Sequence, residues 1–354
     1  MTLAFRLRQA MLIARLEMNR AFFSKRAFWV YGLALFPMII FVGHGLDVTW
    51  KRQRWSATTV SAAQLDRIAE GQTIEEVNQR LGKPMRYRDW EDGERNRVYQ
   101  WQSYYDGQKR VELAFTNGLL THIRRYNLAD FDEDRTILAT VFQQFYLRLA
   151  IFFGCLGIFM NLFRGEMLDK TLHYWLLAPV RRETLLLGKY LAGLMAAVAI
   201  FGVGTAVCFY GVMWYQNPAE VQAYWAGPGP MHLFWYLAAS TLACLGYGSV
   251  FVAAGLLVRN PIVPAAILLF FESINGFLPA ALQKLSVLYY VQSLCPVPMA
   301  DLDEDTPGLV KLLLSPAEPA APAMAILGVL AVTALVLWLA GRAIQRTEIN
   351  YGTE

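Results

Sequence analysis

Long uncharged apolar blocks alternate with shorter charged segments along the chain, and this pattern predicts membrane-spanning helices. A hydrocarbon core about 30 Å thick requires roughly 20 helical residues. Six blocks approach that length. Arg148 interrupts the second block, where its long side chain can snorkel to an interface. The six predicted spans are 27–46, 138–163, 189–215, 233–258, 262–282 and 322–340.

The segment 47–137, between the first two spans, is polar and has mixed periodicity. Thr73 followed by Glu76 is a capping-box pattern, which predicts the start of a short helix. Two runs of alternating apolar and polar residues follow it, as expected for strands. The pairs that favour tight hairpin turns between such strands are Asp106-Gly107 and Asn117-Gly118.

Together these elements predict a mainly α protein, a polytopic six-helix transmembrane bundle with a small α+β extracytoplasmic domain inserted after the first span. The composition agrees, because 56% of the 354 residues are hydrophobic and 17% are charged, against roughly a quarter charged in soluble domains. The four cysteines show no C-x-x-C spacing, so neither a disulfide framework nor a metal site is predicted.

The basic residues between the spans predict the orientation of the chain. Lys and Arg concentrate in the short segments 1–26, 164–188 and 341–354, whereas 216–232 has none. Both termini are therefore predicted to be cytoplasmic. Residues 1–26 are predicted to form an interfacial helix, since they combine arginines with apolar positions. The segment 283–321 is predicted to be an extracytoplasmic loop with re-entrant helices and a solvated acidic patch at Asp301, Asp303, Glu304 and Asp305.

Catalytic motifs are scarce. Gly188-Lys189 lacks the other residues of a P-loop, so the chain is not expected to hydrolyse nucleotide through that motif. Glu272 is the one acidic residue inside the predicted spans, beside Ser273 and Asn275, and an acid in lipid is a functional candidate. These three residues are interpreted either as a polar lining of a translocation path or as a local structural node.

The cytoplasmic segment "RGEMLDKTLHYWLLAPVRRETLLLGKYLAG" presents apolar residues within a charged frame. It predicts a short amphipathic helix, which either docks in the groove of a partner protein or rests on its own bundle.

That segment resembles the intracellular loop of the ABC type-2 exporter permease family. The matching positions are Glu166, Thr171, Leu176, Leu177, Pro179, Val180, Arg182, Gly188 and Lys189, while Lys170 and Arg181 depart from the pattern. In that family the loop includes the coupling helix that contacts a separate ATPase subunit. The resemblance thus implies ATPase-coupling roles for Glu166, Thr171, Leu172, Trp175, Leu176, Leu177, Pro179 and Arg182.

The resemblance implies the permease subunit of an exporter in the bacterial inner membrane. Its partners would be an ABC ATPase subunit, which binds the ATP and magnesium, a second permease copy or homologue, and the lipid bilayer; no nucleic acid and no cofactor of its own are expected. The substrate stays open. The alternatives are a membrane scaffold that acts through its extracytoplasmic domain and an intramembrane enzyme that uses Glu272.

The extracytoplasmic domain carries the pattern "IAEGQTIEEVNQRLGKPMRY" before its alternating runs. This pattern is similar to the SmpA/OmlA-like fold, in which such a segment precedes a three-stranded sheet. The similarity implies a fold and a protein-contact surface, with a lid or spacer as the alternative.

Overall fold

The computed structural model describes residues 3–23, 28–56, 59–92, 97–168, 171–177, 179–258, 262–300 and 319–346. It forms two compact units. The first contains Met1–Ile40, Arg135–Gly211 and Val221–Glu354, and the second contains Phe41–Asp134 and Val212–Glu220. Of the predicted segments, the acidic patch at 301–305 and residues 347–354 of the tail lie outside the described residues.

Most described residues are helical, because long apolar runs in lipid satisfy their backbone groups within each helix. In chain order the helices are α1 Leu3–Phe23, α2 Phe28–Trp55, α3 Ala62–Leu65, α4 Ile74–Leu81, α5 Phe131–Val141, α6 Ile151–Met160, α7 Glu166–Leu168, α8 Leu172–Leu177, α9 Arg182–Met213, α10 Pro218–Ala226, α11 Gly229–Leu257, α12 Ile262–Ser273, α13 Ala280–Gln283, α14 Val287–Gln292 and α15 Pro322–Arg346. The π-helical stretches Phe142–Ala150 and Asn161–Gly165 join α5, α6 and α7.

Five helical segments within the described residues are long and apolar enough to cross a membrane. This is consistent with a multi-pass membrane protein, but the six-span count is not confirmed. The five segments are Phe28–Trp55, Phe131–Phe163, Arg182–Met213, Gly229–Leu257 and Pro322–Gln345.

The predicted span 262–282 differs from the observed structure, because helix α12 has 12 residues and ends at Ser273. A 3-10 turn, Asn275–Phe277, follows it, and the chain is then extended at Leu278 (ψ 151°). Leu278 precedes Pro279, whose ring disfavours helical backbone in the residue before it. The proline thus accounts for the extended backbone at Leu278, which keeps the chain from resuming a helix after the 3-10 turn.

The second unit contains a four-stranded antiparallel sheet in the order β1-β2-β3-β4. One face packs against α3 and α4 through a core that includes Val77, Leu113 and Phe115. The predicted capping box of Thr73 and Glu76 is confirmed at the start of α4, and Asn117 with positive φ lies in the two-residue turn between β3 and β4. The strands are β1 Arg86–Asp92, β2 Arg97–Tyr105, β3 Lys109–Thr116 and β4 Leu119–Asn127.

The sheet has one strand more than the three implied by the resemblance. Strand β1 places charged residues on both of its faces, including Arg88 and Asp89, so it lacks the apolar–polar alternation that marks a half-buried strand. Charged side chains are common on edge strands, where they discourage uncontrolled pairing.

Candidate functional site

The segment that matches the coupling-loop pattern forms the short helix α8 between α7 and α9. The Thr171 amide donates to the Glu166 carbonyl at 2.9 Å, and the Thr171 carbonyl accepts from the Tyr174 amide at 3.1 Å. Thr171 therefore precedes the first turn of α8. Pro179 lies exposed between α8 and α9, where its ring limits further extension of the helix.

A cluster of four charged side chains, three of them buried, lies beside α8. Lys189 Nζ is 2.9 Å from Glu166 Oε1 and 3.0 Å from Glu17 Oε1. Arg20 reaches Glu166 Oε1 at 2.8 Å from a side chain that is 59% exposed. The Lys189 side chain is fully buried, so its charge must be matched inside the protein. Two cations face two carboxylates, and the formal charge of the cluster is zero.

Trp175 of α8 is part of this cluster. Its indole Nε1 donates to Glu166 Oε1 at 3.1 Å, and its ring centroid is 5.3 Å from the Lys189 ammonium, which fits a cation–π contact. Burial raises the pKa of Glu166, and the neighbouring Lys189 opposes that rise. Trp175 thus turns towards the bundle and does not face outwards.

Gly188 allows α1 to approach α9 at this point. A Cβ at Gly188 would lie 2.7 Å from Ile13 Cβ and 2.9 Å from the Ala10 carbonyl oxygen, closer than real Cβ atoms approach. The close approach brings Glu17 of α1 within reach of Lys189. The Gly-Lys pair therefore combines a helix crossing with a buried ion pair.

Arg182, at the start of α9, bonds to the end of α15. Its guanidinium donates to the Ile344 carbonyl at 3.2 Å and to the Gln345 carbonyl at 3.3 Å. Both carbonyls belong to the last turn of α15, where carbonyl groups have no N–H donor within the helix. The Gln345 amide also donates to the Glu183 carboxylate. The region around α8 is consequently connected to α1, α9 and α15.

The outer side of α8 is exposed. Tyr174 is 67% exposed and Leu177 is 80% exposed, and their three-residue spacing places them on neighbouring positions of one helix face. The side chains of Leu172 and Leu176 lie outside the part of the chain that the structure describes. Of the predicted coupling residues, Glu166 and Trp175 are directed inwards and Leu177 outwards.

The sequence analysis included Lys189 in the loop pattern, but it did not predict that Glu17 and Arg20 of α1 belong to this region. Glu17 could have been singled out from the sequence, because it is the only acidic residue among the first 26. An acid in a basic interfacial helix indicates a specific partner, and here that partner is Lys189.

Glu272 occupies a different kind of site. Its side chain is buried, with 1% of the residue exposed. One carboxylate oxygen accepts from the Val287 amide at 3.1 Å, and the other accepts from the Ser286 hydroxyl. Ser286 in turn accepts from the Tyr289 amide at 3.0 Å. Glu272 therefore accepts hydrogen bonds at the start of α14, where backbone N–H groups have no acceptor within the helix.

Ser273 and Asn275 bond to other groups. The Ser273 hydroxyl donates to the Leu269 carbonyl within its own helix at 2.7 Å. The Asn275 amide donates to the Gln283 carbonyl at 3.4 Å. All three polar residues thus serve nearby backbone groups, which favours the interpretation as a local structural node over that of a path lining.

Within the described ranges, no group of three or more His, Cys, Asp or Glu side chains is arranged to hold a metal ion. The chain matches no protein-family model and no curated protein sequence. Its function is therefore inferred from the geometry around α8.

Proposed function

We propose that this chain is the transmembrane permease subunit of an ATP-driven ABC exporter, and that ATP hydrolysis takes place in a separate ATPase subunit. The proposal rests mainly on α8, because one side of this helix is bonded to the protein and the other side is exposed. Trp175 fixes its inner side to Glu166, while Tyr174 and Leu177 are exposed on its outer side. Exposed apolar anchors on a short helix suit insertion into the groove of a partner.

The connections of α8 provide a route for a mechanical signal. A displacement of α8 by a partner would act on Glu166, and through it on Lys189 of α9 and Arg20 of α1. Arg182 extends the same connection to α15. A partner that binds one arrangement of these helices more tightly would shift the bundle towards that arrangement.

The remaining parts of the proposal follow from the topology expected from the sequence. The termini and α8 would face the cytoplasm of a bacterial cell, where the ATPase subunit binds ATP and magnesium. A second permease copy or homologue would complete the transporter. The proposal names no substrate.

The test is co-purification of the tagged protein from detergent-solubilised native membranes. We expect a P-loop ATPase to copurify with the wild type in stoichiometric amount. The double variant Tyr174→Ser/Leu177→Ser should recover about tenfold less of it, since two exposed anchors of an interface are removed.

A matched control is the double variant Tyr87→Ser/Leu119→Ser in the second unit, because these side chains are of the same types and are 52% and 49% exposed. It should recover the ATPase like the wild type. Absence of any ATPase, or equal loss in both variants, would contradict the proposal. Recovery of envelope-assembly proteins alone would favour the scaffold function.

A further inference from the structure

The face of the sheet opposite the α3/α4 core belongs to a second surface of the domain. The strand register places residues of three strands side by side on this face: Arg86 pairs with Ser103, Ser103 with Glu112, and Arg88 with Trp101. Because alternate residues of a strand point to the same face, Trp90 lies on this face as well.

Part of this face is covered by Trp55 from the end of α2. The Trp55 ring centroid lies 5.7 Å from that of Tyr105 and 5.9 Å from the Arg110 guanidinium carbon. The remainder forms an open groove of about 720 Å³, which we name the β1 groove. Its lining includes Arg86, Arg88, Trp90, Trp101, Arg110 and Glu112.

The charges of the β1 groove are unequal. Arg110 pairs with Glu112 inside the groove. Arg86 and Arg88 are both exposed, and no carboxylate among the described residues lies within ion-pair distance of either. Two guanidinium groups are thus available to an anionic ligand, and Arg can bind a carboxylate through two parallel hydrogen bonds.

The groove also exposes aromatic surface. Trp90 is 61% exposed and Trp101 is 38% exposed. Trp90 stacks on Tyr99 with a centroid distance of 5.1 Å, which fixes its ring in place. Trp and Arg are among the side chains most enriched at the centres of protein interfaces.

Strand β1 lies at the edge of the sheet. Its only strand partner among the described residues is β2, so its second backbone edge is open to pairing. Arg86 and Arg88 are two residues apart on one face, which corresponds to about 7 Å along a strand. An added strand has the same repeat, so acidic residues at alternate positions would meet both arginines.

The opposite face of β1 sets the register. Asp89 and Glu91 point away from the groove, because they alternate with Arg88 and Trp90. A peptide shifted by one residue would bring its acidic side chains towards these carboxylates. Like charges on neighbouring strands are destabilising, so the shifted register is disfavoured.

We propose that the edge of β1 and the β1 groove bind an extended acidic segment of a partner protein by strand addition. Alternate acidic residues of that segment pair with Arg86 and Arg88. The residues beyond them on the same face pack against Trp90 and Trp101. The backbone of the segment bonds to the open edge of β1, as in other cases of β-augmentation.

The test uses the full-length protein in detergent and fluorescein-labelled synthetic peptides of about eight residues, close to the length of β1. The first peptide has Glu at two alternate positions and Leu at the next two alternate positions, with Thr between them, so that Glu and Leu share one face of the strand. The second has the same composition with its Glu residues in one block, and the third is the first with N-methyl groups on alternate backbone amides. We expect fluorescence anisotropy to show binding of the first peptide at least about tenfold tighter than that of the other two.

The variant Arg86→Glu/Arg88→Glu should weaken binding of the first peptide by about tenfold or more. The matched control is Arg80→Glu/Lys83→Glu, which makes the same change of net charge at exposed positions of the same domain. It should leave binding within about twofold, apart from a small long-range effect that salt removes.

Three results would overturn the proposal. Equal binding of the alternating and block peptides would show charge attraction without strand pairing. Equal weakening by both double variants would place the site elsewhere. Binding of alginate or of anionic lipid vesicles at the groove, with no peptide bound, would assign it to another class of ligand.

Discussion

Two nearly inaccessible glutamates of the first unit are accommodated in different ways. Glu166 is 3% exposed and lies against the charged groups of Lys189 and Arg20. Glu272 is 1% exposed and accepts hydrogen bonds from the Val287 amide and the Ser286 hydroxyl. One carboxylate is thus in direct contact with two cations, whereas the other accepts hydrogen bonds from neutral donors and also interacts electrostatically with Arg148.

The difference corresponds to the distance along the chain that each site connects. Arg20 and Glu166 are 146 residues apart, and Glu17 and Lys189 are 172 apart. The Ser286 hydroxyl and the Val287 amide, which donate to Glu272, are 14 and 15 residues from it, and Tyr247 and Arg148 interact with it from more distant helices. The charged cluster therefore joins distant helices through direct ion pairs, whereas Glu272 accepts hydrogen bonds at the start of the nearby helix α14.

The largest expected effect comes from Lys189→Met, which removes the shared cation and leaves Glu17 and Glu166 buried. Breaking a buried ion pair by removing one partner costs about 3–5 kcal/mol. We expect a corresponding loss in the free energy of unfolding, measured in detergent by denaturant titration.

Lys284→Met is the matched control, because Lys284 is exposed. It should change the free energy of unfolding by less than about 0.5 kcal/mol. Equal stability of the two variants would show that Lys189 does not balance the two carboxylates.

An intermediate effect is expected for Gly188→Ala, which tests whether the cluster depends on the close crossing of α1 and α9. The added methyl group would overlap Ile13 and the Ala10 carbonyl, and overpacking costs about 1–3 kcal/mol. The co-purification of a partner through α8 should weaken with it.

Gly202→Ala in the same helix is the control, since a Cβ there meets nothing within 4 Å. It should be neutral or stabilise by up to about 1 kcal/mol, because Ala has the higher helix propensity. If both variants change the free energy of unfolding by the same amount and in the same direction, the close crossing at Gly188 does not stabilise the cluster.

The smallest expected effect is that of Glu272→Gln. The amide oxygen can still accept from the Val287 amide, while the electrostatic attraction between the carboxylate and Arg148 is lost. We expect a loss of about 1 kcal/mol in the free energy of unfolding. Ser273→Ala, which removes a hydroxyl that donates to the Leu269 carbonyl of its own helix, should have almost no effect.

A loss for Glu272→Gln as large as that for Lys189→Met would mean that its negative charge is essential. Capping the start of α14 would then not be a sufficient account of the role of Glu272. Denaturant titrations of the three variants in one detergent decide this.

The sequence was sufficient for elements with strong local signals. The capping box at Thr73 and the Asn117-Gly118 turn were predicted because a few neighbouring residues determine each of them. The end of α12 at Ser273 was missed because hydropathy measures transfer to lipid and is insensitive to backbone conformation.

The candidate site was predicted only in outline. The pattern around α8 indicated a docking helix, but the direction of each side chain depends on contacts with helices far away in sequence. Trp175 illustrates this, because its inward orientation follows from Glu166, Lys189 and the approach of α1 at Gly188. Contacts between residues far apart in the chain cannot be read directly from a single sequence.

The short helix α12 has a consequence for membrane insertion during synthesis. Twelve residues rise about 18 Å, so α12 alone cannot cross a hydrocarbon core about 30 Å thick. The segment after it also needs later parts of the chain, since the Tyr290 ring of α14 packs into the space that Gly328 of α15 leaves open. The segment 262–292 therefore reaches its final packing only after α15 has left the ribosome.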